Sequence, residues 1–180
     1  MSFSLRWLRL RAVWILAVPF LVLARPTPEL LMAGGVLAAA GLALRAWAAG
    51  HIRKDRELSV GGPYAHTRNP LYVGSFLIGV GVVVAGGRWW FVALFALVFI
   101  FLYGRTIRGE ASLLEELFGE EYRRYARHVP LVVPRLGAWR PDGATAAKFD
   151  LRRWRQNREY EALAGTLAGF AVLTAKMLWM

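Results

Sequence analysis

At 180 residues with 57% hydrophobic residues and a mean hydropathy of +0.38, the chain has the length of one domain but is too apolar for an ordinary soluble one. It contains no cysteine, which excludes disulfides, thiolate metal ligands and a cysteine nucleophile. A net charge of +11 in a soluble protein points to nucleic acid, but beside apolar runs near the roughly 20 residues that cross a bilayer it reads as basic loops facing anionic lipid.

The first apolar run, residues 8–24, is preceded by Arg6 and interrupted by Arg9 and Arg11, whose long side chains can reach a headgroup layer. Its flanks suit a retained anchor better than a cleaved leader. A turn with Pro26 and Pro28 leads to a second span, residues 30–50, in which Leu37, Ala38, Ala39, Ala40, Gly41 and Ala43 offer a small-residue surface for close helix approach. Arg45 and Trp47 sit near its end, where an interface holds such side chains. Residues 51–69 form a polar loop that closes on Gly61-Gly62-Pro63-Tyr64 and Arg68-Asn69-Pro70.

Asn69-Pro70 is a helix-start signature, with Asn positioned to accept from unpaired backbone donors as N-cap and Pro at the first helical position. The third span, 70–85, and the fourth, 89–104, are joined by Gly86-Gly87-Arg88, which is short enough to force an antiparallel hairpin. Residues 105–159 are charged and largely helical in pattern. Leu113, Leu114, Leu117 and Phe118 repeat at helical spacing, Gly119 ends or kinks that helix, and Pro130, Pro134, Gly137 and Pro141 mark extended backbone. A polar helix over 152–159 then feeds a fifth span, 162–180, in which Lys176 lies near the end.

Lys and Arg number three in the opening stretch, four in 51–69 and twelve in 105–159, with little on the other side beyond Arg25, Arg88 and Lys176. Five spans with the N-terminus inside therefore place the three basic segments in the cytoplasm. The fold expected is an all-α integral membrane protein of about five transmembrane helices with a cytoplasmic helical subdomain built from 51–69 and 105–159.

The start of the third span exposes free N–H groups beside Arg68, a seat for a carboxylate or phosphate flanked by Tyr64 and Tyr72. Glu110 stands at the exit of the fourth span, either as a solvated partner of Arg105 or Arg108 or as an acceptor for an amine or hydroxyls. Glu115, Glu116, Glu120 and Glu121 read as a solvated helix face, and His51, His66 and His128 lack ligand spacing, so no metal is expected. No Ser-His-Asp set, Walker loop or dinucleotide fingerprint is present.

Gly62-Pro63-Tyr64, Arg68-Asn69-Pro70, Tyr72 and Gly74, followed after a hairpin by Glu110, Leu114, Phe118-Gly119, Tyr122, Tyr125 and Val129-Pro130, form an ordered pair of blocks. Over residues 50–135 this pattern resembles the integral-membrane methyltransferase superfamily, which includes isoprenylcysteine carboxyl methyltransferases and phospholipid amine methyltransferases. The resemblance implies S-adenosylmethionine bound at the cytoplasmic end and a lipid-like acceptor entering from the bilayer. It places cofactor contacts on Arg56, Glu57, Leu58, Ser59, Tyr64, Asn69, Pro70, Leu71, Tyr72 and Glu110, to which the helix-start chemistry adds Arg68. Three positions depart from the pattern: Asn69 stands where His is frequent, Ala111 replaces a second Glu, and Thr106 occupies the place of an Arg that holds the acceptor carboxylate in the isoprenylcysteine branch.

Methyl transfer from a sulfonium is an in-line displacement that neutralises charge, so alignment and exclusion of water are the main demands on the protein. The catalytic residues are left open, with Arg105, Arg108, His66 and Tyr72 as candidates and Tyr64 as a further conceivable base. The expected activity is methyl transfer to a membrane-embedded acceptor, an isoprenylcysteine-like carboxylate or a lipid amine, in a bacterial inner membrane. Its rival is a scaffold or carrier that binds anionic lipid through the basic cytoplasmic segment. Membrane lipids are partners under either reading, nucleic acid under neither, and the oligomeric state is open.

Overall fold

A computed structural model describes residues 17–52, 57–141 and 149–180. The start of the first apolar run with Arg6, Arg9 and Arg11, the stretch Arg53, Lys54, Asp55 and Arg56, and residues 142–148 lie outside the described residues. Those described are all helix, turn and loop: α1 (17–23), α2 (Pro28–Ala49), a 3-10 turn (Gly62–Ala65), α3 (Pro70–Ala85), α4 (Trp89–His128), α5 (Leu151–Gln156) and α6 (Glu159–Trp179). Helices α2, α4 and α6 are long and apolar enough to cross a membrane, and α3 is a shorter apolar helix. The chain is an all-α membrane protein.

The most closely packed pair is α2 with α3. Glycines on both helices make this approach possible: a Cβ at Gly34 would lie 2.2 Å from the Gly81 carbonyl oxygen, and one at Gly41 2.6 Å from that of Gly74. The α3–α4 hairpin turns at Gly87 (φ 73°), and Phe76 stacks on Phe95 at 5.8 Å between ring centroids. At one end of the bundle, Arg88 donates to the Leu23 carbonyl and Lys176 to those of Leu21 and Val22. The late lysine of α6 thus sits on the free carbonyls and negative dipole end of α1, which explains a charge near the end of an apolar helix. The opposite end collects the C-terminus of α2, the start of α3, the lower half of α4 and the start of α6.

Helix α4 has 40 residues, or about 60 Å at 1.5 Å per residue, twice the roughly 30 Å of a hydrocarbon core. Its C-terminal half must therefore project beyond the bilayer. Gly119 breaks it with φ 52° and ψ −121°, after which Tyr122, Tyr125 and Val129 form a second small core with Leu58, Val60 and Trp139.

Two sequence expectations need correction. The last helix begins at Glu159, ahead of the apolar run from 162, and the polar helix preceding it stops at Gln156, because Arg158 adopts a left-handed conformation (φ 56°) that separates the two. Asn69 occupies the N-cap position of α3, but its side chain does not cap: Nδ2 donates to the Leu131 carbonyl at 2.9 Å instead.

Candidate functional site

The loop before α3 is held by a strap, residues 130–139, which runs alongside it. Backbone bonds link Arg68 to Pro130, Arg135 to His66 and Trp139 to Ala65, and the Thr67 hydroxyl donates to Val132. Tyr125 of α4 donates its hydroxyl to the Tyr64 carbonyl at 2.7 Å, fixing the 3-10 turn against the projecting half of α4. Between the turn, α3 and α4 lies a cavity of about 610 Å³, within the size range of small-molecule sites.

The cavity brings together Glu57, Leu58, Ser59, Tyr64, Arg68, Asn69, Leu71, Tyr72 and Glu110. Pro70 is buried as the first residue of α3, and Arg56 lies outside the described residues. The Tyr72 hydroxyl donates to Glu110 Oε1 at 2.8 Å, so the start of α3 and the middle of α4 meet directly. Arg105, Arg108 and His66 do not line the cavity. Both arginines are exposed on another face of α4, about 200° around the helix from Tyr103 and Glu110 respectively. His66 packs outside, near Trp47, with Nδ1 bonded to the Arg135 carbonyl. Of the candidates for catalysis, only Tyr72 and Tyr64 face the cavity.

Arg68 places its guanidinium 5.7 Å from the Tyr122 ring centroid and donates to the Tyr122 hydroxyl at 2.9 Å. Its Nε and the Tyr64 hydroxyl are buried with no hydrogen-bond partner among the described residues. Each such orphan costs about 1–3 kcal/mol, so two in one cavity wall call for a polar ligand beside them. Burial above all, and then the Glu159 and Glu110 carboxylates, push the Tyr64 phenol well above its ordinary pKa against the pull of Arg45. Tyr64 is therefore held as a neutral phenol. Donors at Tyr64 and Arg68 and a carboxylate at Glu110 suit a zwitterionic ligand with its carboxylate toward the first pair and its cation or hydroxyls toward the last. The residues present fit S-adenosylmethionine.

Several lining residues escaped the sequence reading. Arg45, expected only as an interfacial anchor, is at the cavity floor, paired with Glu159 of α6 at 2.8 Å. A charge inside an apolar span was the available signal. Ser75 and Tyr103 line this cavity and also a second one of about 450 Å³ that runs among α1, α3 and α4. That second cavity is walled by apolar side chains including Phe20, Ile78, Phe91, Phe95 and Phe99. A chamber that carries polar and charged side chains thus adjoins an apolar cavity, with Ser75 and Tyr103, the throat residues, lining both.

A family model described as phospholipid methyltransferase matches residues 30–121, just over half of the chain. The chain is 38% identical over 113 residues to the nickel-cobalt-cadmium resistance protein NccN of Alcaligenes xylosoxydans xylosoxydans, covering 62% of this chain and 51% of that protein. It is 35% identical over 81 residues to the protein-S-isoprenylcysteine O-methyltransferase of Schizosaccharomyces pombe, covering 45% of this chain and 34% of that protein. With the cobalt-zinc-cadmium resistance protein CzcN of Cupriavidus metallidurans it shares 37% identity over 113 residues, 61% of this chain and 50% of that protein. The matches thus cover 34–51% of the length of these curated relatives. No solved structure matches it.

Proposed function

This chain belongs to the phospholipid methyltransferase family, and from that premise we propose that it transfers a methyl group from S-adenosylmethionine to a lipophilic acceptor held in the membrane. The observation that supports this reading is the pairing of a polar chamber with an apolar channel at Ser75 and Tyr103, which lets a soluble cofactor and a lipid tail approach one point from different media. The basic segments at the chamber end argue for a cytoplasmic face with an inside N-terminus, and a bacterial inner membrane suits that arrangement.

S-adenosylmethionine supplies the electrophilic methyl group when bound. Tyr64 and Arg68 would take its carboxylate, and Glu110, oriented by the Tyr72 hydroxyl, would accept from its amine or ribose hydroxyls. The Tyr72 and Tyr103 rings, 5.6 Å apart between centroids, keep water from the throat and offer π faces to a cation. The head of an isoprenylcysteine-like carboxylate or of a lipid amine would meet the chamber there.

Calorimetric titration of the detergent-solubilised protein with S-adenosylmethionine tests the reading. Saturable one-site binding that weakens in Arg68→Met is expected; a folded wild type that takes up no S-adenosylmethionine overturns it.

A further inference from the structure

Arg45 is a cation that lines the larger cavity beside Ser75, a residue of both cavities, yet its donors are already used. Nε and Nη2 grip the Glu159 carboxylate at 2.9 and 2.8 Å, and Nη1 reaches Ser75 Oγ at 2.6 Å and the Leu71 carbonyl at 3.4 Å. Four of its five N–H groups are therefore committed. Glu159 is nearly sealed from solvent, its side chain 5% exposed, whereas Arg45 retains 22%. The Arg45 stem passes over Gly74, where a Cβ would come within 2.6 Å of its Cγ.

This pairing fixes what the throat can offer an incoming head group. Ser75 spends its proton on the Leu71 carbonyl at 2.9 Å and one lone pair on Arg45, so toward the cavities it presents an acceptor. Tyr72 spends its proton on Glu110, whose carboxylate is a further acceptor. With Arg45 neutralised from behind, Ser75 Oγ and the Glu110 carboxylate stand as acceptors toward the chamber.

We propose that Glu159, acting through Arg45 and Ser75, is a specificity-determining positioning residue that makes the throat admit heads which donate hydrogen bonds, amines or hydroxyls, and refuse carboxylates. The inference rests on the acceptor site proposed above and narrows its substrate class. Glu159 lies beyond residue 121, where the family match ends, so the last helix contributes a selectivity element from outside the matched region.

The sign of the effect separates this role from a merely structural one. Loss of the Glu159 charge with its shape retained leaves Arg45 unneutralised at the cavity floor, so binding of an anionic head should strengthen. Decylamine, decanol and decanoate, matched in chain length, are titrated into the full-length protein in neutral-detergent micelles, with protein-free micelles as blanks. The wild type is expected to bind decylamine and decanol at least 10-fold more tightly than decanoate. Glu159→Gln should gain about 10-fold for decanoate and lose affinity for decylamine. The double variant Arg45→Leu with Glu159→Leu, which replaces the ion pair by apolar volume and avoids an unpaired buried charge, should show no gain for decanoate.

Equal binding of decanoate and decylamine by the wild type overturns the proposal even if no variant folds. So does a Glu159→Gln protein that weakens for both ligands, or a double variant that gains for decanoate. S-adenosylmethionine titrated into the same samples reports on the methyltransferase reading separately: its failure to bind with the amine preference intact sinks that reading and leaves the throat selectivity standing.

Discussion

The close approach of α2 and α3 sets the geometry of the cavity floor, and Gly41→Ala is the perturbation that exposes it. A Cβ at Gly41 would stand 2.6 Å from the Gly74 carbonyl oxygen and 2.8 Å from the Ile78 nitrogen, both backbone atoms that cannot swing aside. To restore an ordinary 3.4 Å contact the two helices must part by roughly 0.8 Å. Arg45 lies one turn further along α2, so its 2.6 Å bond to Ser75 stretches toward the limit of a hydrogen bond. Overpacking of this kind costs about 1–3 kcal/mol, and at about 2–4 °C per kcal/mol for a chain of this length the midpoint of thermal unfolding should fall by roughly 2–12 °C. Gly35→Ala on the same helix is the control, because among the described residues its Cβ would meet just the Phe170 ring, at 3.9 Å. Alanine improves helix propensity there by up to about 1 kcal/mol, so its midpoint should hold or rise. Circular dichroism melts in one detergent compare the two. A Gly41→Ala protein as stable as Gly35→Ala would refute the argument that backbone contact between these helices is at its limit.

Glu110→Gln should weaken S-adenosylmethionine binding by about 1–3 kcal/mol, or roughly 5- to 150-fold, through loss of a charge-assisted bond; calorimetry checks it, and an unchanged affinity in a folded variant returns Glu110 to the solvated surface. Tyr125→Phe strips the buried Tyr64 carbonyl of its 2.7 Å donor and should destabilise the docked half of α4 by about 1–3 kcal/mol, read as lost hydrogen-exchange protection in 60–68 and 120–130. Full retention of that protection would show that the 3-10 turn is held by other contacts.

The membrane architecture was legible because spans are runs of one solvent preference, and the glycine turn at 86–87 left the α3–α4 hairpin no alternative. The meeting of the Tyr64 loop with Glu110 was legible from the two sequence blocks, since basic loops on one side of a bilayer must share a face. Side-chain destinations were not. Asn69 has the composition of a cap, but a carbonyl of the strap 62 residues away competes for it and wins. Arg45 and Glu159 are 114 residues apart, and no local pattern in either helix announces the other. The break at Arg158 was hidden for a related reason: a left-handed non-glycine residue has no sequence signature, and its neighbour Asn157 is held by Ala49 at the far end of α2.

The chamber end of the site is built on either side of a single backbone feature in α4. The part of α4 before Gly119 carries Tyr103 and Glu110, the part after it Tyr122 and Tyr125, and all four line one cavity across the turn at Gly119. At φ 52° and ψ −121° an L side chain is strained, while a Cβ there would meet nothing within 4 Å. Gly119→Ala therefore isolates the backbone term, about 1–3 kcal/mol, with no steric clash to confuse it. Gly109→Ala, whose Cβ is equally unobstructed within a regular part of the helix, should be neutral or stabilising. If the kink is what docks the Tyr122–Tyr125 segment, Gly119→Ala should open residues 120–139 to limited proteolysis and weaken S-adenosylmethionine, while the melting of the membrane helices is preserved. Equal protease resistance in the two variants would mean that the second core of Tyr122, Tyr125 and Val129 bends the helix by its own packing and that the glycine only accommodates it.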